Sequence, residues 1–284
     1  MGEIIILTYK RIISVLLNNI VLVVTLFIGL YYSITPVEYN PGIVFLDVGQ
    51  GDAALIIDES GKKFLIDGGD GDYVVYRIAK YLHPKDRKID TIILTHPHQD
   101  HLSGLIDIIK RYEVEEIWYY PVCYDTQLYE YFLSLGENIS FVPHDYIYEG
   151  SLFSLEVLYP LEAVLQEECL RYSNINNGSI VVKLDSDNLS ILFMGDAEHE
   201  QEDLLVRRYR KSDLEASILK AGHHCSRTAS SKRFLDFVDP QYAICSVGFE
   251  NRFGHPHREV IQNFESLGIE YYLTSEEGDI FISL

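Results

Sequence analysis

Three imidazoles and a carboxylate share one short run, Thr95-His96-Pro97-His98-Gln99-Asp100-His101. It follows the β-branched stretch Asp90-Thr91-Ile92-Ile93-Leu94 and precedes a helical pattern beginning at Leu102. Imidazole nitrogens and carboxylate oxygens are the donors that suit zinc and similar divalent ions. His96 and His98, two apart, can point to one ion. Asp100 and His101, offset around the turn, more naturally serve a second ion or an open catalytic position. A histidine-rich surface loop is the plainer alternative. Against it, a 284-residue chain with only ten histidines places three of them within six positions.

Other strand ends carry similar chemistry. Met194-Gly195-Asp196-Ala197-Glu198 follows an apolar stretch, and Asp196 has two oxygens with which to bridge two ions; its alternative role is the N-cap of the helix expected over 198–209. Lys220-Ala221-Gly222-His223-His224-Cys225-Ser226 supplies two more imidazoles. Neighbouring side chains are expected on opposite sides, so one of the pair would bind metal while the other serves substrate or supports a ligand. In Gly254-His255-Pro256-His257, one histidine is placed to donate a proton to a leaving group. Near the start, Asp47-Val48-Gly49-Gln50-Gly51-Asp52 sets two glycines between two acids and an amide. Exposed N–H groups there would suit an anion, and a simple hairpin turn is the alternative. Leu65-Ile66-Asp67-Gly68-Gly69 reads by itself as a strand and a turn. His83, His144 and His199 read as ordinary surface or packing residues.

The elements that must position these groups are short. Apolar runs at 43–46, 53–57, 64–66, 92–94, 117–120, 153–158, 179–184, 189–194, 217–220, 242–247, 271–274 and 280–283 read as strands. Helical spacing appears at 73–82, 102–112, 127–135, 198–209, 231–237 and 258–267, and residues 161–177 read as irregular. Strands come first, then strand and helix alternate, which suits two sheets packed face to face with helices outside. Residues 41–284 are expected to form this one α/β domain, and residues 1–40 an anchor and linker.

No charged residue lies between Ile12 and Val37, a stretch long enough to cross a bilayer as a helix. Lys10 and Arg11 precede it, so the positive-inside rule leaves the N-terminus in the cytoplasm and the remainder outside the cell. A cleaved signal peptide and a buried core helix are the competing readings. The formal net charge is −20, and it all resides beyond the anchor. Such a surface repels polyanions at long range, so a bound phosphate chain would depend on a few local cations such as Lys220, Arg227 and Arg252. Cys123, Cys169, Cys225 and Cys245 show no C-x-x-C spacing and do not read as a disulfide framework or a zinc knuckle.

Taken together, DVGQGDA, IDGG, THPHQDHLSGL, MGDAE, KAGHHCS and FGHP over residues 43–283 resemble the metallo-β-lactamase superfamily, and specifically the hydrolase-like domain of the ComEC competence-protein family. The resemblance implies an αββα sandwich, here preceded by one N-terminal transmembrane helix, with two divalent ions, Zn or Mn, at one edge. It implies His96 and His98 for one ion, Asp100 and His101 for the other, Asp196 as the bridging acid, and His223, ahead of His224, as the remaining ligand. Asp67 matches the acid that orders the metal loop. Asp100 and His255 are the candidate catalytic groups, while Asp47, Gln50, Asp52, Asn177, Ser179, His224 and Ser226 would surround substrate or support the ligands. Two departures stand out. The superfamily's further histidine is absent from Asn174-Ile175-Asn176-Asn177-Gly178-Ser179, as in the ComEC branch. Cys225 replaces the branch's usual glycine, where it would narrow the pocket or add a soft ligand.

The implied activity is that of a membrane-anchored, outward-facing phosphodiesterase or nuclease related to DNA uptake, with DNA or another phosphodiester as substrate and a membrane channel protein as partner. The alternatives are a weakly active or non-catalytic accessory subunit of such a channel and a hydrolase of a small wall-linked ester. A β-lactamase rests on fold analogy alone.

Overall fold

The computed structural model describes residues 2–34, 39–135, 139–141, 146–161 and 169–284. They fall into two compact units, Met1–Glu38 and Tyr39–Leu284. His144 and much of the segment read as irregular lie outside the described residues.

The first unit is a helix, α1 (Gly2–Ile34). Its window Ile13–Leu30 has a mean hydropathy of 2.4, and none of that window is buried in the protein. At 1.5 Å per residue those 18 residues span about 27 Å, close to the ~30 Å of a bilayer's hydrocarbon core. The Thr25 hydroxyl donates back to the Val21 and Leu22 carbonyls at 2.9 and 2.8 Å, so its polar group is satisfied within the helix.

The second unit is a two-sheet sandwich. In chain order the strands are β1 (Gly42–Phe45), β2 (Ala54–Ile57), β3 (Lys63–Ile66), β4 (Lys88–Leu94), β5 (Glu113–Tyr119), β6 (Ile139–Phe141) and β7 (Ile147–Glu149). They continue as β8 (Phe153–Tyr159), β9 (Val181–Ser186), β10 (Ser190–Phe193), β11 (Ile218–Lys220), β12 (Tyr242–Cys245), β13 (Glu270–Leu273) and β14 (Ile280–Ser283). One sheet has the order β14-β1-β2-β3-β4-β5-β6, the other β13-β12-β11-β10-β9-β8-β7. The two closing strands, adjacent in sequence, thus join opposite sheets.

Helices α2 (Tyr73–Ile78), α3 (Gln99–Arg111) and α4 (Gln127–Leu135) accompany the first sheet. Alongside the second run α5 (His199–Arg208), α6 (Lys211–Leu214), α7 (Lys232–Val238), α8 (Arg258–Leu267) and α9 (Thr274–Glu277). Side-chain alternation divides the core into three layers. Phe45, Ile56, Phe64, Ile93, Val182 and Phe193 meet between the sheets. Val44, Leu55, Leu65 and Ile92 turn the other way, against Leu102, Leu105 and Phe132. Leu192, Leu219 and Ala243 pack on Leu205, Phe234 and Phe264. Strands buried on both faces read as unbroken apolar runs, which is why no polar alternation marks them in the sequence. The layering is α/β, an αββα sandwich.

Three readings need correction. Helix α3 starts at Gln99, not Leu102; His98 is its extended N-cap residue, so Asp100 and His101 ride on the first turn. Short strands β6 and β7 and the four-residue helices α6 and α9 carry too few residues to show a period. The cysteines do form disulfides, Cys123–Cys169 and Cys225–Cys245, with Cα atoms 4.9 and 5.6 Å apart. Sequence separations of 46 and 20 residues are closed only by the fold.

Candidate metal centre

At one end of the sandwich the strand ends converge. Asp67, just past β3, has a left-handed backbone (φ 56°) and is fully buried. It accepts hydrogen bonds from the Thr95 N–H (2.8 Å), the Thr95 hydroxyl (2.7 Å) and His101 Nδ1 (2.8 Å). The first two bonds fix the path of the chain leaving β4. The third aims His101 Nε2 into the centre, the role that outer carboxylates commonly play behind metal ligands. The neighbouring glycines permit this packing, because a Cβ on Gly104 of α3 would collide with the Gly68 carbonyl.

Asp196 follows β10 and is buried, its N–H donating to Ser179 Oγ at 3.1 Å. It is not a helix cap: α5 begins at His199 with Glu198 before it. Its oxygens face different ways. Oδ1 is 3.3 Å from His101 Nε2 and 3.5 Å from His224 Nε2, while Oδ2 is 3.7 Å from His96 Nε2. Among the described residues Oδ1 has no hydrogen-bond partner.

The Oδ1 side is closed and tightly built. His224 Nδ1 donates to the Ser246 carbonyl at 3.0 Å and lies 3.1 Å from Asp52 Oδ1. Its Nε2 is 3.3 Å from both His101 Nε2 and Asp100 Oδ2. Ligands placed 2.0–2.1 Å from a tetrahedral ion are separated by about 3.3–3.4 Å, so His101, Asp196 and His224, 3.3–3.5 Å from one another, are spaced to hold one, with Asp100 Oδ2 beside His224. Asp52 also lies within 4.8 Å of the His101, Asp196 and His224 donors. It stands behind the His224 ring, however, and is tied to Lys220 Nζ at 2.7 Å.

Protons hold this side together when no cation does. Burial alone would discharge His224, but Asp196 and Asp52 raise its pKa to about 10. Asp196 and Asp67 likewise overcome burial to raise His101 well above the usual range. Burial works against the charge on Asp52, yet Lys220 and His224 hold that carboxyl down to about 2. Such a density of acceptor atoms facing two rings fits a divalent cation in the protons' place.

The Oδ2 side is more open. His96 Nε2 and His98 Nδ1 are 3.0 Å apart, and with Asp196 they form a second three-donor group within 4.8 Å. Burial, then the charge on His101, pushes His96 well below its ordinary range; burial also lowers His98. Both rings are therefore neutral and free to donate lone pairs.

Of the paired histidines, His224 lies nearer Asp196 than His223 does. His223 and His224 both occupy left-handed backbone (φ 47° and 53°), followed by Cys225 at φ 60°. Successive side chains on such a turn do not alternate as on a strand, so both rings lie on the Asp196 side. His224 Nε2 is the closer of the two to Asp196 Oδ1. His223 Nε2 is 4.0 Å from Asp196 Oδ2, and its Nδ1 meets Glu198 Oε1 at 3.0 Å. Burial would raise Glu198, but His223 and Asn176 hold it down to about 2. Cys225 is fully buried in its disulfide with Cys245, so it is neither a soft ligand nor a wall of the pocket.

The remaining candidates are distributed unevenly. His255 has its ring centroid 5.5 Å from that of His223, and Gln50 Nε2 lies 3.4 Å from its Nδ1. Burial, reinforced by His224 and His223, lowers its pKa to about 4, so at neutral pH it is a neutral ring rather than an imidazolium acid. Asn177 donates to Glu200 at 2.6 Å, and Ser226 Oγ accepts from the Thr228 hydroxyl at 3.2 Å. Asp47 pairs with Arg77 and orders the glycine loop through Gly49 N–H, so it is not brought to the donors. His83 and His199 are outside both donor groups. Lys220, expected to be available to phosphate, is buried against Asp52. Sequence reasoning missed Ser246, Glu198 and Asn176, whose roles come from packing alone. An open cleft of about 650 Å³, lined by Gln50, Gln99, Asp100, Asn251, Arg252 and Phe253, opens beside the centre through Asp100.

A sandwich with this His/Asp set at its edge defines a metallo-β-lactamase fold, and residues 46–163 match the metallo-β-lactamase superfamily. YhfI of Bacillus subtilis, a metallo-β-lactamase fold protein, superposes with a TM-score of 0.57 at 11% identity, covering 86% of this chain and all of that one. More particularly, over most of its length the chain is similar in sequence to bacterial competence proteins. It is 25% identical over 252 residues to ComE operon protein 3 of B. subtilis (strain 168), covering 83% of this chain and 32% of the relative. It is 26% identical over 253 residues to competence protein ComA of Neisseria gonorrhoeae, covering 87% of this chain and 33% of the relative. The chain thus spans about a third of the length of these relatives.

Proposed function

We propose that the chain is a membrane-anchored, outward-facing phosphodiesterase acting on DNA or a related phosphodiester during DNA uptake. The observation that carries the reading is the Asp196 carboxylate, whose two oxygens each face a separate donor group. Divalent ions, Zn or Mn, held by Asp100, His101, Asp196 and His224 and by His96, His98 and Asp196 would activate water and offset charge on a phosphoryl group. The chain's own residues supply the rest. Asp67 and Asp52 orient the His101 and His224 rings. Gln50 orients His255, which as a neutral ring offers a hydrogen bond to a leaving oxygen and becomes a proton donor only after taking up a proton.

The anchor is α1, and Lys10 and Arg11 favour a cytoplasmic N-terminus. Two disulfides support the same orientation, because such bonds persist in oxidising compartments. The competence-protein relatives motivate DNA as substrate and a membrane channel as partner.

The test uses the detergent-solubilised full chain with Zn²⁺ or Mn²⁺. Bis(p-nitrophenyl) phosphate and DNA should both be hydrolysed, and chelation should abolish turnover. No hydrolysis of either at full metal loading would refute the reading. In that case the accessory-subunit alternative gains, since among the described residues the open group has only three donors. A C-terminal tag should be cleaved by protease added to intact spheroplasts; its protection would overturn the orientation.

A further inference from the structure

The loop between β12 and α8 is built to hold aromatic rings in solvent. Asn251 Nδ2 donates to the carbonyls of Gly248 (3.0 Å) and His255 (2.6 Å), and Asn251 Oδ1 accepts from the His255 N–H (3.0 Å). Gly248 N–H donates to Gln50 Oε1 at 3.2 Å, and a Cβ on Gly248 would come within 2.7 Å of Gln50 N. The loop is therefore stapled internally and seated on the glycine loop. Yet Phe249 is 79% exposed and Phe253 48% exposed. Phe253 stacks on His255, centroids 5.8 Å apart at 21°, and the Arg252 guanidinium lies 4.9 Å from the Phe253 centroid. Arg252 and Phe253 line the same cleft as Asp100, whose Oδ2 is 3.3 Å from His224 Nε2 of the closed group.

We infer that Phe253 with Arg252 forms a stacking platform for an unpaired nucleobase, making single-stranded nucleic acid the preferred substrate; this rests on the phosphodiesterase reading. A half-exposed ring with the Arg252 guanidinium over it and His255 stacked on it is a rigid aromatic–cation pair, which matches a flat base joined to a phosphate. Charge points the same way. A chain of net charge −20 has little counterion release to draw on along a duplex backbone, so affinity must come from faces that stack. In a duplex those faces are already occupied by neighbouring bases.

The experiment compares the full chain with Phe253→Ala and Phe253→Tyr in detergent with Mn²⁺. Substrates are a single-stranded oligonucleotide, the same sequence as duplex, and a base-free sugar-phosphate strand. Phe253→Ala should raise KM for the base-bearing strand about tenfold more than for the base-free strand. Phe253→Tyr should recover most of that difference, and duplex should be the poorer substrate. Binding is followed separately by quenching of 2-aminopurine in the oligonucleotide with Ca²⁺ present, where quenching should vanish in Phe253→Ala. Equal KM ratios, unaltered quenching in Phe253→Ala, or a preference for duplex would overturn the platform. If the base-free strand is cleaved normally in those cases, the phosphodiesterase reading stands while the platform falls. If the wild-type chain cleaves no strand, that reading falls and the platform with it.

Discussion

The two donor groups that share Asp196 differ in how completely the fold has built them. On the closed side three layers are visible: His101, Asp196 and His224 with Asp100 beside them, then Asp67 and Asp52, then Thr95 and Lys220. On the open side His96 and His98 meet at 3.0 Å, but His98 is only partly buried, and Asn176 and Asn177 occupy the segment where the superfamily has a further histidine. The closed group is stabilised by oriented outer partners, whereas the open group relies on two rings. The difference teaches that a shared bridging acid does not make two sites equivalent. An ion on the closed side should bind more tightly and more slowly exchange.

The largest test removes what the groups share. Asp196→Ala should lower hydrolysis by well over the roughly 10–100-fold typical of losing an outer partner, with metal lost from both sides. Circular dichroism should stay near that of the wild type; retained activity would break the two-group picture.

Next, His224→Ala and His98→Ala should separate the groups. Metal analysis after dialysis should show the tightly held ion gone from His224→Ala but retained, about one per chain, in His98→Ala. Loss of the tight ion in His98→Ala instead would invert the comparison.

A smaller effect is expected from Asp52→Asn, which leaves every donor in place but loosens the His224 ring. Metal affinity on the closed side should fall about 10–100-fold, with the open side little changed. Calorimetry would show this as a change in one of two binding phases.

Proton release gives the finest distinction. His224, raised to about 10, is protonated at pH 8 without metal and must lose that proton to bind an ion. His96 and His98, lowered by burial, are already neutral. Closed-side binding should therefore release protons and weaken as pH falls, while open-side binding near pH 8 should release few. Titrations in buffers of different ionisation enthalpy would read this directly. The sign for stability is separate: a raised His224 pKa stabilises the metal-free fold below its unfolded value near 6.5, and the contribution is lost as pH rises towards about 10.

Part of the candidate centre was legible in sequence because some of its side chains sit just past strand ends, where apolar runs stop abruptly at His, Asp and Gly. His96 and Asp196 are such residues, and His98, Asp100 and His101 follow in the same short run onto the first turn of α3. The layering was legible too, since runs such as Ile43–Phe45 and Ile191–Phe193 are too uniformly apolar for a one-faced sheet. Alternation on extended backbone suggested that only one of His223 and His224 would face the centre, and a left-handed turn, which turns both rings toward Asp196, cannot be recognised from residue types that do not favour it. Asp47 and Asp52 look alike in the glycine loop; only the approach of Arg77 to one and of Lys220 to the other sets them apart.

What the sequence determined by itself was therefore local: donor types, their order along the chain, the apolar runs that bury, and a helix apolar enough to cross a membrane. Tertiary structure decided which cysteines pair, which of two adjacent imidazoles lies nearer Asp196, which carboxylate supports a ring, and that β13 and β14 part to opposite sheets. The physical reason is separation. Asp52, Asp100, Asp196 and His224 meet within a few ångströms although up to 172 residues apart, and such contacts depend on the packing of whole layers rather than on any local period.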